Sequence, residues 1–214
     1  MRILVLPVKS LSHSKMRLSG VLSPLERGAL TLAKLEDVLD STVRVAGWET
    51  WVISPDEAVL EIAVRRGVRP VLEVKPPLSR AIRQVEGDAR ERAADALAVL
   101  LADTPLVTAD ALSVALRTLG PVVLAPATSG GGTNLLLRRP PRAIGARFGP
   151  ESFRRHLEAA TARGLPASVV ERPELGFDLD DPDDILQVIH SDRDCRTREV
   201  CLQMDLAARL SVTA

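Results

Sequence analysis

The sequence predicts an α/β fold, a three-layer α/β/α sandwich around a mostly parallel sheet. Short unbroken apolar runs recur along the chain, the clearest at 96–101, and such runs are typical of strands buried on both faces. A helix-compatible segment follows each early run, and strand–helix alternation produces a parallel sheet with helices on both faces. Because 214 residues contain no long linker or internal repeat, we expect a single domain over 1–214, including a helical tail from about 191 to 214.

The first half of the chain supplies five of the expected strands, at 2–8, 50–54, 69–74, 96–101 and 121–126. The first helix has the clearest start, with Ser23 at the cap, Pro24 at the first helical position and Glu26 closing a capping box. This helix is expected to run to about Val45. The next three helices are expected at 55–67, from 77 onward, and at 109–119.

The alternation breaks after the fifth run. A glycine-rich loop at 129–134 leads into 135–137, a predicted strand of different direction. A helix through His156, a last strand at 167–170 and a helix capped by Asp181 follow.

Composition excludes several classes of partner. Lys and Arg balance Asp and Glu at 28 each, and aromatic residues make up 2%. We therefore expect no nucleic-acid partner bound through net charge or base stacking, although the balance leaves a local basic pocket open. The first apolar run is too short for a signal peptide and no run is long enough to span a membrane, so we expect no membrane partner and a cytoplasmic location. Cys195 and Cys201 fit no metal motif and are expected to be reduced thiols.

Three aspartates are candidate metal ligands. Asp103 is expected at the carboxyl end of a central strand, because Pro105 cannot donate to a sheet ladder. Ligands of open α/β sheets bind at that edge. Asp178 and Asp180 point the same way if 177–180 is extended. The three carboxylates could hold Mg²⁺, whereas the alternative for Asp103 is a helix cap or turn residue.

A basic segment follows the first strand and carries Lys9, Lys15 and Arg17. These cations can bind a triphosphate, Lys as a point charge and Arg as a fork; the alternative is a solvated loop. Cations beside a magnesium site are what phosphoryl or nucleotidyl transfer needs.

Motifs over nearly the whole chain resemble the 2-phospholactate guanylyltransferase family (CofC/FbiD type), whose members help to make the deazaflavin coenzyme F-420. They occur in the family's order at 7–9, 15–18, 35–39, 102–106, 132–134, 147–152 with His156, and 178–182. The resemblance implies a fold similar to nucleotide-diphospho-sugar transferases. It also implies a reaction that couples GTP to a small phosphorylated three-carbon acid and releases pyrophosphate.

The resemblance also implies roles for individual residues. The metal ligands would be Asp103, Asp178 and Asp180. The contacts to the phosphorylated acid would be Thr133, Gly149 and Ser152. The nucleotide-binding residues of the opening segment would be Pro7, Val8, Lys9, Lys15 and Arg17. The catalytic residues would be Lys15, Arg17 and Asp103, because the two cations neutralise charge that develops on the triphosphate.

The chain departs from the family where 77–79 reads Pro-Leu-Ser in place of the usual Gly-Leu-Asn. Ser79 is then the candidate nucleotide-binding residue of this turn. Serine is shorter than asparagine and proline restricts φ, so we expect a weaker preference for guanine over adenine.

The acid site requires two distant segments to meet. We expect Thr133 to donate its hydroxyl, Gly149 to allow close backbone approach, and the amide and hydroxyl of Ser152 to face the anion at a helix start. The alternative is that Ser152 is only a helix cap.

Two other functions compete with guanylyl transfer to a three-carbon acid. One is nucleotidyl transfer to a different acceptor, such as a sugar phosphate or molybdopterin, although the glycine-rich opening of those families is absent from 7–18. The other is a non-catalytic nucleotide-binding module on the same fold. The sequence leaves open which acid is the substrate, and whether the chain forms a homodimer.

Overall fold

The structure, a computed structural model, describes residues 1–11, 16–74 and 76–213. Within these ranges one sheet has seven strands in the order β3-β2-β1-β4-β6-β5-β7. The strands are β1 (Arg2–Pro7), β2 (Glu49–Ser54), β3 (Arg69–Leu72), β4 (Ala96–Leu100), β5 (Val122–Pro126), β6 (Thr133–Arg138) and β7 (Ala167–Val169). Only β6 runs antiparallel to its neighbours, which are β4 and β5. The α/β class, the mostly parallel sheet and the reversed strand are therefore confirmed.

The helices agree in place with the sequence prediction and end somewhat earlier. They are α1 (Pro24–Thr42), α2 (Glu57–Arg65), α3 (Leu78–Glu91), α4 (Ala109–Arg117), α5 (Ser152–Thr161), α6 (Pro173–Gly176), α7 (Pro182–His190), α8 (Arg196–Gln203) and α9 (Leu206–Thr213). The capping box of α1 is confirmed, since the Ser23 side chain accepts from the Glu26 amide and the Glu26 side chain accepts from the Ser23 amide. Asp181 caps α7 in the same way. The short helix α6 is an element that the sequence pattern did not indicate.

The central strand β1 shows how the sheet is covered on both faces. Leu4 and Leu6 belong to an apolar cluster that includes residues of α1, α2 and α4. Ile3 and Val5 point the other way and pack with residues of α3. Because successive side chains of a strand face opposite sides, this alternation confirms the three-layer arrangement.

The C-terminal helices are attached to α1 by a buried carboxylate. Asp37 is 3% exposed and accepts hydrogen bonds from the amides of Arg196 and Thr197 at 2.9 and 2.8 Å, and from the Thr197 hydroxyl at 2.6 Å. An acceptor at a helix start satisfies amides that have no partner inside the helix, so α1 supplies the cap that α8 lacks.

Both cysteines are buried and unbridged, as expected. Burial raises the pKa of Cys201 to about 12, so its thiol is protonated at neutral pH. In the part of the chain that the structure describes, no helix combines the length and the apolar character needed to cross a membrane.

Candidate functional site

A cleft of about 650 Å³ opens at the carboxyl edge of the sheet, the edge at which the sequence predicts ligand binding. It is bordered by the segment after β1, the loop between β3 and α3, the end of β4 and the segment before α7. The predicted site residues that line it are Pro7, Val8, Lys9, Arg17, Asp103 and Asp180. The nucleotide and metal candidates from three separate parts of the chain therefore meet in one cleft.

Three other predicted site residues differ from these: Ser79 and Asp178 are not among the lining residues, and Lys15 is not described. Ser79 is exposed on the first turn of α3 and does not line the cleft, whereas Pro77 and Leu78 do. Asp178 is half-buried and lies two residues before a lining residue. Lys15 lies outside the described residues, so its contact with the nucleotide stays a prediction.

Asp56 holds the basic segment beside the cleft. Its carboxylate accepts from the Leu11 amide at 3.0 Å and from the Ser10 hydroxyl at 3.3 Å. The other carboxylate oxygen accepts from the Ala58 amide at 3.2 Å and so caps α2. One side chain thus fixes both the start of a helix and the course of the chain after Lys9.

Asp103 forms an ion pair with a residue that sequence analysis missed. The Lys34 ammonium donates to Asp103 Oδ1 at 2.8 Å, and the Lys34 side chain is 1% exposed while that of Asp103 is 42% exposed. Lys34 lies midway between Leu30 and Val38 at spacings of four residues, so it belongs to the buried face of α1. The spacing could have indicated that Lys34 has a charged partner, because a lysine on the apolar face of a helix is rarely buried without one.

The segment that carries Asp178 and Asp180 lies against Asp103. The Leu179 amide donates to the Asp103 carbonyl at 2.9 Å, and Leu179 itself is fully buried. The Asp180 amide donates to the Asp184 carboxylate at 2.8 Å, which ties the segment to the first turn of α7. The buried leucine between the two aspartates keeps the alternation that the sequence predicts, although the segment is not part of the sheet.

The carboxylates fit a hard divalent cation by chemistry, since Mg²⁺ prefers oxygen ligands, and by place, since open α/β sheets bind ligands at this edge. Asp103 and Asp180 both face the cleft. Nowhere in residues 1–11, 16–74 and 76–213 do three His, Cys, Asp or Glu side chains converge closely enough to hold a metal as they stand. The magnesium site of Asp103, Asp178 and Asp180 therefore stays a prediction.

The two segments predicted to hold the acid do meet. The Ser152 hydroxyl lies 3.2 Å from Thr133 Oγ1, and the Phe153 amide donates to the Gly131 carbonyl at 3.1 Å. Thr133 and Ser152 are each 1% exposed, whereas Gly149 beside them is exposed with a φ of +112°. A residue with a side chain would be strained at that φ, so the backbone conformation requires glycine here. An added Cβ would meet no described atom within 4 Å, and the close approach of a ligand to Gly149 stays a prediction.

The predicted orientation of the Ser152 amide is wrong, whereas contact between the Ser152 hydroxyl and an anion stays a prediction. Its amide donates to the Gly149 carbonyl at 3.1 Å and does not face an open anion site. The cap position of α5 belongs to Glu151, whose φ is 53° and whose side chain makes no capping bond, so Ser152 is not the helix cap either. A tight turn at 149–152 uses the amide internally and leaves the hydroxyl directed at Thr133.

His156 joins this hydroxyl pair. Its Nδ1 lies 3.1 Å from Thr133 Oγ1, and its Nε2 accepts from the Arg147 amide at 2.8 Å. Burial, and then the charges of Arg138, Arg155 and Arg147, lower the pKa of His156 to about 4. The imidazole is therefore neutral at physiological pH.

The cleft and the hydroxyl pair share one edge of the sheet. The Leu101 amide, just after β4, donates to the Asn134 carbonyl at 2.9 Å, so the beginning of β6 lies beside the strand end that precedes Asp103. The Asn134 side chain donates to the carbonyls of Leu175 and Gly176, each at 2.9 Å. A reversed strand thus brings Thr133 to the edge where parallel strands end.

Comparison with solved structures supports the fold. A crystal structure described as a nucleotide-diphospho-sugar transferase from Desulfovibrio desulfuricans G20 superposes with a TM-score of 0.78 over 98% of both chains at 18% identity. A nucleotidyl transferase from Methanothermobacter thermautotrophicus gives a TM-score of 0.67 over 95% of this chain and 98% of that one, at 20% identity. The predicted likeness to nucleotide-diphospho-sugar transferases is confirmed.

Comparison with curated proteins identifies relatives along most of the chain. A phosphoenolpyruvate guanylyltransferase from Rubrobacter xylanophilus is 40% identical over 86% of this chain and 91% of its own. A 2-phospho-L-lactate guanylyltransferase from Haloarcula marismortui is 39% identical over 88% and 86%. A 3-phospho-D-glycerate guanylyltransferase from Phenylobacterium zucineum is 37% identical over 92% and 93%.

The sequence model of the family described as "Guanylyl transferase CofC like" matches residues 1–213. This match covers the cleft, the aspartates and the hydroxyl pair together. The chain is an enzyme of the nucleotidyltransferase class and belongs to the CofC-like guanylyl transferase family.

Proposed function

We propose that this enzyme transfers the guanylyl group of GTP to the phosphate of a small three-carbon acid, releasing pyrophosphate, in the biosynthesis of coenzyme F-420. The observation that carries the proposal is the common edge shared by the cleft, with Lys9, Arg17 and Asp103, and the buried hydroxyls of Thr133 and Ser152. The names of the relatives support phosphoenolpyruvate and 2-phospho-L-lactate as acids. The cytoplasm, where GTP is made, is the proposed location.

In this reaction a phosphate oxygen of the acid attacks the α-phosphorus of GTP in line. A P–O bond forms, and the bond to the β-phosphate breaks as pyrophosphate leaves. An anionic phosphate needs no base to activate it, so the protein acts mainly by positioning and charge neutralisation. Lys9 and Arg17 line the cleft, where they would neutralise charge on the triphosphate, with Lys15 as a further predicted partner.

Asp103 and Asp180, which line the cleft, would hold Mg²⁺, with Asp178 as the third predicted ligand. When bound, the ion would neutralise charge on the phosphate oxygens of GTP. Lys34 keeps Asp103 in place through the 2.8 Å ion pair and adds a fixed positive charge behind the carboxylate.

A pyrophosphate-release assay tests the proposal. Phosphoenolpyruvate, 2-phospho-L-lactate and 3-phosphoglycerate are each supplied with GTP or ATP, and release is measured with the acid omitted as the control. Release that depends on GTP and one of the acids is the expected result. GTP binding without release with any acid would instead support a nucleotide-binding module.

Replacement of Thr133 by valine should raise KM for the acid about 10- to 100-fold, because a hydrogen bond to a charged group is lost. Ser152→Ala should act in the same direction, since its hydroxyl bonds to Thr133. KM for GTP should change little in both variants. Initial rates at varied acid and fixed GTP, and then the reverse, measure the two constants.

Thr161→Val is the matched control, because Thr161 is an exposed threonine on α5 whose hydroxyl donates to the Leu157 carbonyl of its own helix. Thermal unfolding of all three variants separates a folding defect from a binding defect. Acid kinetics like those of the wild type in both Thr133→Val and Ser152→Ala would remove these residues from the acid site.

Glu73 is the residue of the cleft best suited to read guanine. It follows β3, its amide donates to the Ser54 carbonyl at 2.9 Å, and it lines the cleft together with Pro77 and Leu78. Partial burial raises the pKa of its carboxyl group. Guanine presents N1–H and an amino group on one edge, and a carboxylate accepts from both. Adenine presents a lone pair at N1, which a carboxylate repels.

Glu73→Gln should therefore reduce the preference for GTP over ATP by about 10- to 100-fold, since one charged acceptor is lost and the shape is kept. The ratio of kcat/KM for the two nucleotides is the measurement. Glu61→Gln, which alters an exposed ion pair on α2, serves as the control. An unchanged ratio in Glu73→Gln would mean that another group reads the base.

A further inference from the structure

The side chain of His156 is held at both ring nitrogens. Nε2 accepts from the Arg147 amide at 2.8 Å, and Nδ1 lies 3.1 Å from the Thr133 hydroxyl oxygen. The ring is fully buried, and Phe148 packs edge-on against it with ring centroids 5.3 Å apart. These contacts fix the orientation of the ring.

The contact with Arg147 determines where the imidazole proton lies. A backbone amide can only donate, so Nε2 must present a lone pair. A neutral imidazole carries one proton, and that proton must then be on Nδ1. His156 is therefore a donor toward Thr133.

The direction of this bond decides how many hydrogens the hydroxyl pair can offer to a ligand. Thr133 and Ser152 have one hydroxyl hydrogen each, and one of the two is used in their mutual bond. If His156 donates to Thr133, the second hydrogen is left for a third partner. If His156 accepted instead, Thr133 would donate to the ring, Ser152 would donate to Thr133, and neither hydrogen would be left.

We propose that His156 is a positioning residue that turns the Thr133–Ser152 pair into a hydrogen-bond donor for an anionic oxygen of the phosphorylated acid. The proposal rests on the proposed function, since it takes these hydroxyls to contact the acid. With Ser152 donating to Thr133, as its geometry has it, the outward hydrogen is that of Thr133. The Arg147 amide acts through the ring on a hydroxyl that it does not touch.

The neighbouring backbone supports this arrangement. The Ser152 amide donates to the Gly149 carbonyl at 3.1 Å, so this amide does not bind the anion. The Phe153 amide is used by Gly131 in the same way. Ser152 acts on the anion only through the hydrogen bond that its hydroxyl donates to Thr133. Among the described residues, the hydrogen bonds of both hydroxyls are with each other and with His156.

Two substitutions separate the two nitrogens of the ring. His156→Asn places an amide N–H near the position of Nδ1 and keeps a donor for Thr133. His156→Gln places its amide near Nε2, where its oxygen can accept from Arg147, and loses the donor. We expect His156→Gln to raise KM for the acid about 10- to 100-fold, with KM for GTP little changed, and His156→Asn to raise it far less.

Nitrogen NMR of the wild-type protein tests the tautomer without any variant. The chain has three histidines, so long-range proton–nitrogen correlations at neutral pH can be assigned from the His156→Asn spectrum. We expect a neutral ring protonated at Nδ1. A ring protonated at Nε2 would overturn the proposal whatever the kinetics show.

The outcomes also distinguish this proposal from the proposed function. If Thr133→Val raises KM for the acid while His156→Gln and His156→Asn behave alike, the acid site stands and the role of His156 fails. If Thr133→Val leaves acid kinetics unchanged, the acid site itself is wrong and the role of His156 falls with it. Equal increases in KM for acid and GTP in His156→Gln would indicate a general structural defect and would also overturn the proposal.

Discussion

Replacement of Asp103 by asparagine should lower kcat about 10²–10³-fold, a typical effect of removing one electrostatic group that stabilises a transition state. Asparagine keeps the shape of the side chain and removes the charge that a magnesium site needs. Initial rates of pyrophosphate release across a range of Mg²⁺ concentrations are the measurement. Turnover near that of the wild type at saturating Mg²⁺ would show that Asp103 is not a metal ligand.

Lys34 determines the controls for this experiment. In Asp103→Asn the buried ammonium loses the 2.8 Å ion pair with Asp103, and removing one partner of an ion pair that involves a buried charge is destabilising. Lys34→Met in the Asp103→Asn background should restore stability without restoring activity, which separates charge imbalance from the lost ligand. Asp110→Asn, at an exposed ion pair with Arg172, is the matched control and should leave turnover unchanged.

Glu86→Gln should destabilise the fold by about 3–5 kcal/mol, the usual effect of removing one partner from a buried ion pair. Arg138 on β6 is fully buried, and its guanidinium pairs with Glu86 on α3, which is 7% exposed. In the described part of the chain, Nε and Nη2 of Arg138 make no hydrogen bond. The carboxylate of Glu86 is therefore the main group that offsets the buried positive charge of Arg138. Urea unfolding at neutral pH measures the change in the free energy of unfolding.

Two controls accompany the Glu86 variant. Glu158→Gln breaks an exposed pair with Arg154 on α5 and should cost less than about 1 kcal/mol. Arg138→Met combined with Glu86→Gln should recover most of the lost stability, because no buried charge remains. Arg138 also donates to the Ile144 carbonyl at 3.2 Å, and a loss below about 1 kcal/mol in Glu86→Gln alone would show that its charge does not depend mainly on Glu86.

The fold was predictable from the sequence because its determinants are local. The capping box of Ser23 and Glu26 lies within four residues, and the apolar runs that become β1 and β4 are contiguous. The reversed direction of β6 followed from the loss of strand–helix alternation after 126. Asp103 was placed correctly at a strand end because Pro105 ends the run that precedes it.

The parts of the site that sequence analysis missed depend on contacts between distant residues. Lys34 and Asp103 are 69 residues apart, and periodicity alone does not say that a lysine in a helix faces a carboxylate. The amide of Ser152 was misassigned because the turn at Gly149 consumes it. Ser79 was assigned from a motif position; it directly follows Pro77 and Leu78, which line the cleft, and its contact with the nucleotide stays a prediction.

The proposed acid site depends on which face of the antiparallel strand β6 each side chain occupies. Thr133 reaches toward Ser152 and His156 of α5, whereas the next side chain, Asn134, reaches the carbonyls of α6 on the opposite face. A one-residue shift of a strand exchanges its faces. Inserting or deleting an odd number of residues within β6 would therefore turn the Asn134 amide toward α5 in place of the Thr133 hydroxyl. An even number would leave the side chains on their present faces of the sheet. The loop at 127–132, by contrast, can change in length during evolution without such an effect, provided that the chain re-enters the sheet at the same threonine.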